Sequence, residues 1–308
     1  EALGVNTSKS FALFETGEEL WRGDEPSPTR SSVLTRLSHG HIRIGTFQRL
    51  AYLRDAETMA RLVDYVLVTL HGDAPGDPAR LLRNVVARAA RLAAGYMAAG
   101  FVHGVLNTDN INVTGESFDY GPWRFTPTWD PGHVAAYFDH AGLYAFGRQP
   151  EAIHWDVMQL AVSLRIVSDA EPLIAALDAF SDLYQRAVTD ALLWRLGVTP
   201  RSDDEDRAVI QAVEPALRAS DAPIDRFFFD AFGGRIPDRY GEHFAAARSA
   251  LVPYRPRKDR SHAYWSGEPC SMLIDEVETI WSAIDARDDW SPFHTKVAAI
   301  RQMGAALA

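Results

Sequence analysis

Five residues of this chain have types and positions that could do chemistry together: Asp109, Asn110, Asp119, Arg36 and Arg43. Asn110 and Asp119 offer hard oxygen ligands of the kind Mg²⁺ prefers. Two protein ligands suffice for that ion, because water and phosphate fill the rest of its shell. Asp109 directly precedes Asn110. A carboxylate beside a divalent ion stays ionised at neutral pH and can take a hydroxyl proton as a bond to the oxygen forms. Arg36 and Arg43 stand seven residues apart, one near a predicted strand end and one near a predicted helix start. Both can fork onto the oxygens of one phosphate group. The set points to metal-assisted phosphate chemistry. Each member also has a plainer reading. Asn107-Thr108-Asp109-Asn110 is good turn chemistry, Asp109 can simply cap the loop, and the arginines can be surface residues in an arginine-rich chain.

Order along the chain adds weight. His103 and Asn110 keep the spacing of a kinase catalytic loop, His-x-Asp-x-x-x-x-Asn, and Asp119-Tyr120-Gly121 fits the later metal motif. The position of the usual base, two after the histidine, is Val105, which cannot accept a proton. His103 reads as a structural residue of the loop. His39 and His41 lack a third ligand nearby and also read as structural.

The run His103-Gly-Val-Leu-Asn-Thr-Asp-Asn, followed by Phe118-Asp-Tyr-Gly-Pro, resembles the signature of the selenoprotein O family. Val33-Leu-Thr-Arg36 with Ser38-His-Gly-His-Ile-Arg43-Ile-Gly-Thr-Phe is similar to that family's paired-arginine segment. Asp139-His-Ala-Gly-Leu-Tyr-Ala-Phe-Gly-Arg-Gln149-Pro150 is similar to the segment after its metal motif. The resemblance covers residues 1 to about 165 and beyond that rests on helical character. It implies an α+β, protein-kinase-like bilobal fold, once classed as pseudokinase. Residues 1–38 would be what remains of an N-terminal β lobe, and 39–308 a mainly helical C-terminal lobe. It implies a protein adenylyltransferase that moves AMP from ATP to Ser, Thr or Tyr hydroxyls, with release of pyrophosphate and with ATP bound in a flipped orientation. Asp109 takes the proton-acceptor role, Asn110 and Asp119 hold Mg²⁺ (or Mn²⁺), and Arg36, Arg43 and Asp119 bind the nucleotide. In the family a Gly-rich loop, a strand lysine and a helix glutamate lie upstream of the matching point. The expectation is therefore a chain truncated at its N-terminus, impaired alone and weak in ATP binding. Two alternatives stay open: a phosphotransferase, against which Val105 argues, and a non-catalytic nucleotide-binding scaffold.

Composition sets outer limits. The 308 residues, 47% hydrophobic, suffice for one large domain or two lobes around a cleft. A net charge of −10 argues against nonspecific nucleic-acid binding. The single cysteine, Cys270, excludes an internal disulfide framework, and no apolar run is long enough to span a membrane. The expected location is the cytoplasm, with ATP and hydroxyl-bearing proteins as partners.

The elements that must position these residues follow from periodicity. Ser10–Glu15 and Glu19–Arg22 read as two strands around a Thr16-Gly17 turn, Asp24–Thr29 as a loop, and Val33–Leu37 as a third strand. Ile42–Leu53 and Ala56–Leu70 have helical spacing. Pro78 opens a long helix that Gly100 stops. Val105–Val113 and Glu116–Phe118 suggest a hairpin around Gly115 that brings Asn110 and Asp119 to adjacent strand ends. Helices are then expected over about 151–167, 171–196, 203–219, 222–231, 237–250, 271–285 and 292–306. Tyr137, Phe138, Tyr144, Phe146 and Trp155 are expected in the core, and Trp123, Phe125 and Trp129 along a substrate groove.

Overall fold

The computed structural model describes residues 1–23 and 27–308. Asp24, Glu25 and Pro26, half of the expected loop, lie outside the described residues. The fold is mixed α/β: small antiparallel sheets accompany a body that is mostly helix.

The organising element is helix α3, Pro78–Ala99. Asp77 caps it by accepting from the Arg80 N–H at 2.9 Å, Pro78 starts it, and Gly100 ends it with φ 70°. Leu81, Leu82, Val85, Val86, Ala89 and Tyr96 are among its buried residues. Their recurrence every three or four positions makes the buried face continuous. Each large side chain withdrawn from water contributes about 1.5–3 kcal/mol. Helices α4 (Gln149–Leu164), α5 (Ala170–Asp178) and α6 (Phe180–Leu196) pack around α3.

After Gly100 the chain forms β3, Phe101–Val102, which pairs antiparallel with β4, Arg124–Phe125. Everything between, including Asp109 and both candidate oxygen ligands Asn110 and Asp119, is one excursion pinned at its neck by this pairing. Two further elements approach the excursion. Helix α1, Ile44–Tyr52, buries Ile44 and Phe47 in the core. Strands β1, Lys9–Leu20, and β2, Thr29–Leu37, form an antiparallel ribbon that carries Arg36 near its end. Helix α2, Ala56–Tyr65, is capped by Asp55 and runs into a π turn over Val66–Leu70. The remaining helices are α7 (Asp203–Arg218), α8 (Ile224–Ala231), α9 (Ala245–Leu251), α10 (Ile274–Arg287) and α11 (Ser291–Leu307).

Four expectations are corrected. Thr16-Gly17 makes no turn between strands. β1 runs through it, and the pairing shifts register between Glu15 and Glu19, so Gly17 serves an irregularity within one long strand. No Gly115 hairpin forms. Asn112 bridges to Arg43 and Ser117 to Thr7, so the segment pairs with the flanking elements instead of with itself. The predicted helix over 171–196 is two helices broken at Ala179, where Phe180 turns in to stack on His154 at 4.6 Å. Tyr137, Phe138 and Trp155 are more than half exposed, whereas Phe146 is fully buried.

Candidate active site

The candidate metal motif, Asp119-Tyr120-Gly121, is built onto the turn that opens the excursion. His103 is fully buried, and its backbone N–H donates to Gln149 Oε1 at 3.0 Å. Gln149 Nε2 in turn donates to the Phe101 carbonyl at 2.8 Å. One buried amide thus holds both sides of the chain where it leaves β3. The His103 ring accepts from the Val105 N–H through Nδ1 at 3.3 Å. Its Nε2–H faces the Asp119 backbone carbonyl at 3.1 Å and Asp119 Oδ1 at 3.3 Å. The neutral tautomer with the proton on Nε2 satisfies all three contacts. Gly121 N–H also donates to Asp119 Oδ1, at 2.9 Å. The His103 hydrogen bond holds the Asp119 carboxyl below its ordinary value despite partial burial, aided by Gly121 and by the charge of Arg36. Gly121 is required here: at φ 56° a Cβ would lie 2.3 Å from the His103 carbonyl oxygen.

Asn110 reaches the same turn from the other side, its Nδ2 donating to the Val105 carbonyl at 2.7 Å. Asn110 and Asp119 are therefore both tied to His103–Val105. Among the described residues, Asn110 Oδ1 and Asp119 Oδ2 have no hydrogen-bond partner. Two uncommitted hard oxygens fit an ion that draws most of its shell from water and phosphate. No group of three or more His, Cys, Asp and Glu side chains suited to a metal occurs among the described residues.

Asp109 stands at the start of α1. Ile44 N–H donates to the Ile111 carbonyl at 3.1 Å and Gly45 N–H to the Thr108 carbonyl at 3.0 Å. The loop backbone thereby satisfies the helix's first donors. Thr108 Oγ1 donates to Gln48 Oε1 at 2.5 Å, one turn further along. The exposed carboxylate of Asp109 lies over Gly45. Arg43, the residue before α1, donates to the Asp109 carbonyl at 3.3 Å. Arg36 donates to the Phe118 carbonyl and lies over the Tyr120 ring, 5.1 Å from its centroid. Tyr120 is itself held by its hydroxyl to Thr7 Oγ1 at 2.8 Å.

The predicted residues thus form two linked groups: Asn110, Asp119 and Arg36 around the metal motif, and Asp109 with Arg43 at the head of α1. Sequence reasoning missed Gly45 and Gln149 as supporting residues. A polar residue just before Pro150 at a helix start was the one local sign of Gln149. Of the aromatics assigned to a groove, Trp129 is core, edge-on to Phe146 at 5.3 Å. Trp123 and Phe125 line a cavity of about 380 Å³ together with Phe101 and Tyr120.

A family described as protein adenylyltransferase SelO matches residues 1–236. The chain belongs to the SelO family. The protein nucleotidyltransferase YdiU of Synechocystis sp. is 38% identical over 327 residues, covering 96% of this chain and 68% of the relative. That of Gloeobacter violaceus is 37% identical, covering 97% and 67%. That of Bradyrhizobium sp. strain ORS 278 is 32% identical, covering 95% and 64%. The chain spans about two thirds of the length of these SelO relatives. Membership makes it part of a nucleotidyltransferase family, and the similarity extends through the helices beyond residue 165. No helix among the described residues is long and apolar enough to cross a membrane.

Proposed function

We propose that this protein is a protein adenylyltransferase with a kinase-like bilobal frame, in which the β1–β2 ribbon belongs to the N-terminal lobe and residues 39–308 form the helical lobe. It transfers AMP from ATP to Ser, Thr or Tyr hydroxyls of cytoplasmic proteins. The observation that carries this reading is the placing of Asp109. The position of the kinase base is filled by Val105, while the exposed carboxylate of Asp109, the residue directly before Asn110, stands at the head of α1. That carboxylate receives the acceptor's proton as its oxygen attacks the α-phosphate and pyrophosphate leaves. Arg36 and Arg43 enter from the ribbon and from α1 and grip the outer phosphates, with Arg36 stiffened by its stacking on Tyr120. Asn110 and Asp119 would hold Mg²⁺, which when bound neutralises charge on the phosphates. His103 and Gly121 keep Asp119 ionised and aimed.

The test is mass spectrometry of proteins incubated with ATP and this enzyme. An adenylyl adduct on a Ser, Thr or Tyr side chain, lost with Asp109→Asn, is expected. A phosphoryl adduct at the same residues would make it a kinase, and no adduct with retained ATP binding would make it a scaffold.

A further inference from the structure

Arg36 and Arg43 lie on different elements, so their joint use of one phosphate chain depends on the connection between them, Leu37–Ile42. His39 and His41 on it are exposed. Beneath it lies Glu116, only 4% exposed. A buried carboxylate is costly unless both oxygens are satisfied, and here both are. Oε1 meets the His39 ring Nδ1 at 2.8 Å. Oε2 accepts from the His39 backbone N–H at 3.0 Å and from Thr114 Oγ1 at 3.1 Å. Burial on its own raises the Glu116 carboxyl, and the His39 and Thr114 bonds outweigh it and hold the group below its ordinary value. Two neighbours extend the seam: Asn112 Nδ2 donates to the Gly40 carbonyl at 2.6 Å, and Val113 N–H to the Ile42 carbonyl at 3.0 Å.

The same short segment leads on to the site. Phe118, two residues after Glu116, presents the carbonyl that Arg36 grips, and Asp119 follows. On its other side the segment is held by Ser117 N–H to the Asn6 carbonyl at 2.9 Å and by Ser8 N–H to the Ser117 carbonyl at 3.0 Å. Residues 112–119 therefore run between the lead-in to β1 and the connection that joins the two arginines.

We infer that Glu116 is a positioning residue for nucleotide binding: by clasping His39 it fixes the spacing of Arg36 and Arg43 and ties that spacing to Asp119. The inference rests on the reading of the two arginines as phosphate ligands. Glu116 itself is buried away from solvent.

The test uses the full-length protein, with ATP affinity by titration calorimetry and AMP transfer measured separately. Glu116→Ala should weaken ATP binding about tenfold, as loss of one charge-assisted contact would. The turnover at saturating ATP should change less than the affinity does, and Glu116→Gln should restore most of the binding. In an Arg36→Ala background, Glu116→Ala should add little further loss, because the group it positions is gone. Additive effects, or unchanged ATP affinity in Glu116→Ala, overturn the inference. If Glu116→Ala does not fold, His39→Ala carries the same test with a smaller loss expected, and unchanged affinity there overturns it equally. Wild-type protein that binds ATP without transferring AMP refutes the proposed reaction and leaves the positioning intact. Wild-type protein that does not bind ATP refutes both.

Discussion

A Cβ built on Gly45 would lie 2.1 Å from Oδ1 of Asp109. The proposed base and the second residue of α1 therefore share a space that only glycine leaves open. Asp109 is exposed, so its side chain can swing aside where the backbone would not yield.

Gly45→Ala should accordingly fold and misplace the carboxylate. Alanine favours helix over glycine by about 1 kcal/mol, so the melting temperature should hold or rise. Turnover should fall about tenfold or more while the KM for ATP changes little. Steady-state AMP transfer alongside a thermal melt checks this. A lowered melting temperature with unchanged turnover would refute the contact's catalytic relevance.

Arg36→Ala and Arg43→Ala should act on ATP binding instead. Each removes charge-assisted contacts of about 1.5–3 kcal/mol, or roughly ten- to a hundredfold in affinity. Lysine at position 36 should recover only part of this, because it cannot reproduce the planar stacking on Tyr120. Calorimetric titration with ATP measures each variant directly.

Gln149→Leu should cost stability before chemistry. It leaves the His103 N–H and the Phe101 carbonyl buried without partners, at about 1–3 kcal/mol each. Denaturant unfolding should show the midpoint lowered with an unchanged slope, and the loop of the surviving folded fraction should bind ATP less well.

Asp156 predicts a pH effect. It is fully buried, neither oxygen is hydrogen-bonded among the described residues, and burial pushes its carboxyl up to about 8. The folded protein thus keeps a proton that the unfolded chain gives up near pH 4. Stability is penalised increasingly as pH rises from there toward 8, by at most about 1.4 kcal/mol per pH unit. Asp156→Asn removes that dependence. The difference in melting temperature between variant and wild type should grow in the variant's favour from pH 5 to pH 8. A constant difference would show that Asp156 finds a partner.

Much of this was readable from the sequence because local signals carried it. Pro78 and the stop at Gly100 bounded α3, and the spacing of His103, Asn110 and Asp119 marked the loop. What escaped depends on distant partners. Gln149 acts on His103 from 46 residues away, and Glu116 on His39 from 77. Nothing local to either residue announces such a contact. Gly17 and Gly115 misled for a different reason. A glycine with positive φ serves a bulge or a loop bend as well as a hairpin turn, and only pairing with Arg30 and Arg43 on other segments decided between them. Trp155 was mistaken for core because its neighbours Ile153 and Val157 are buried, while it points outward from the same helix.

The most direct test of the central claim is incubation of the full-length protein and acceptor proteins with ATP labelled on either the α or the γ phosphate. Asp109→Asn and Asp119→Ala serve as controls. Under the proposed adenylyl transfer only the α label enters protein, and both variants lose it. Transfer of the γ label, or α transfer that survives Asp119→Ala, would contradict the account.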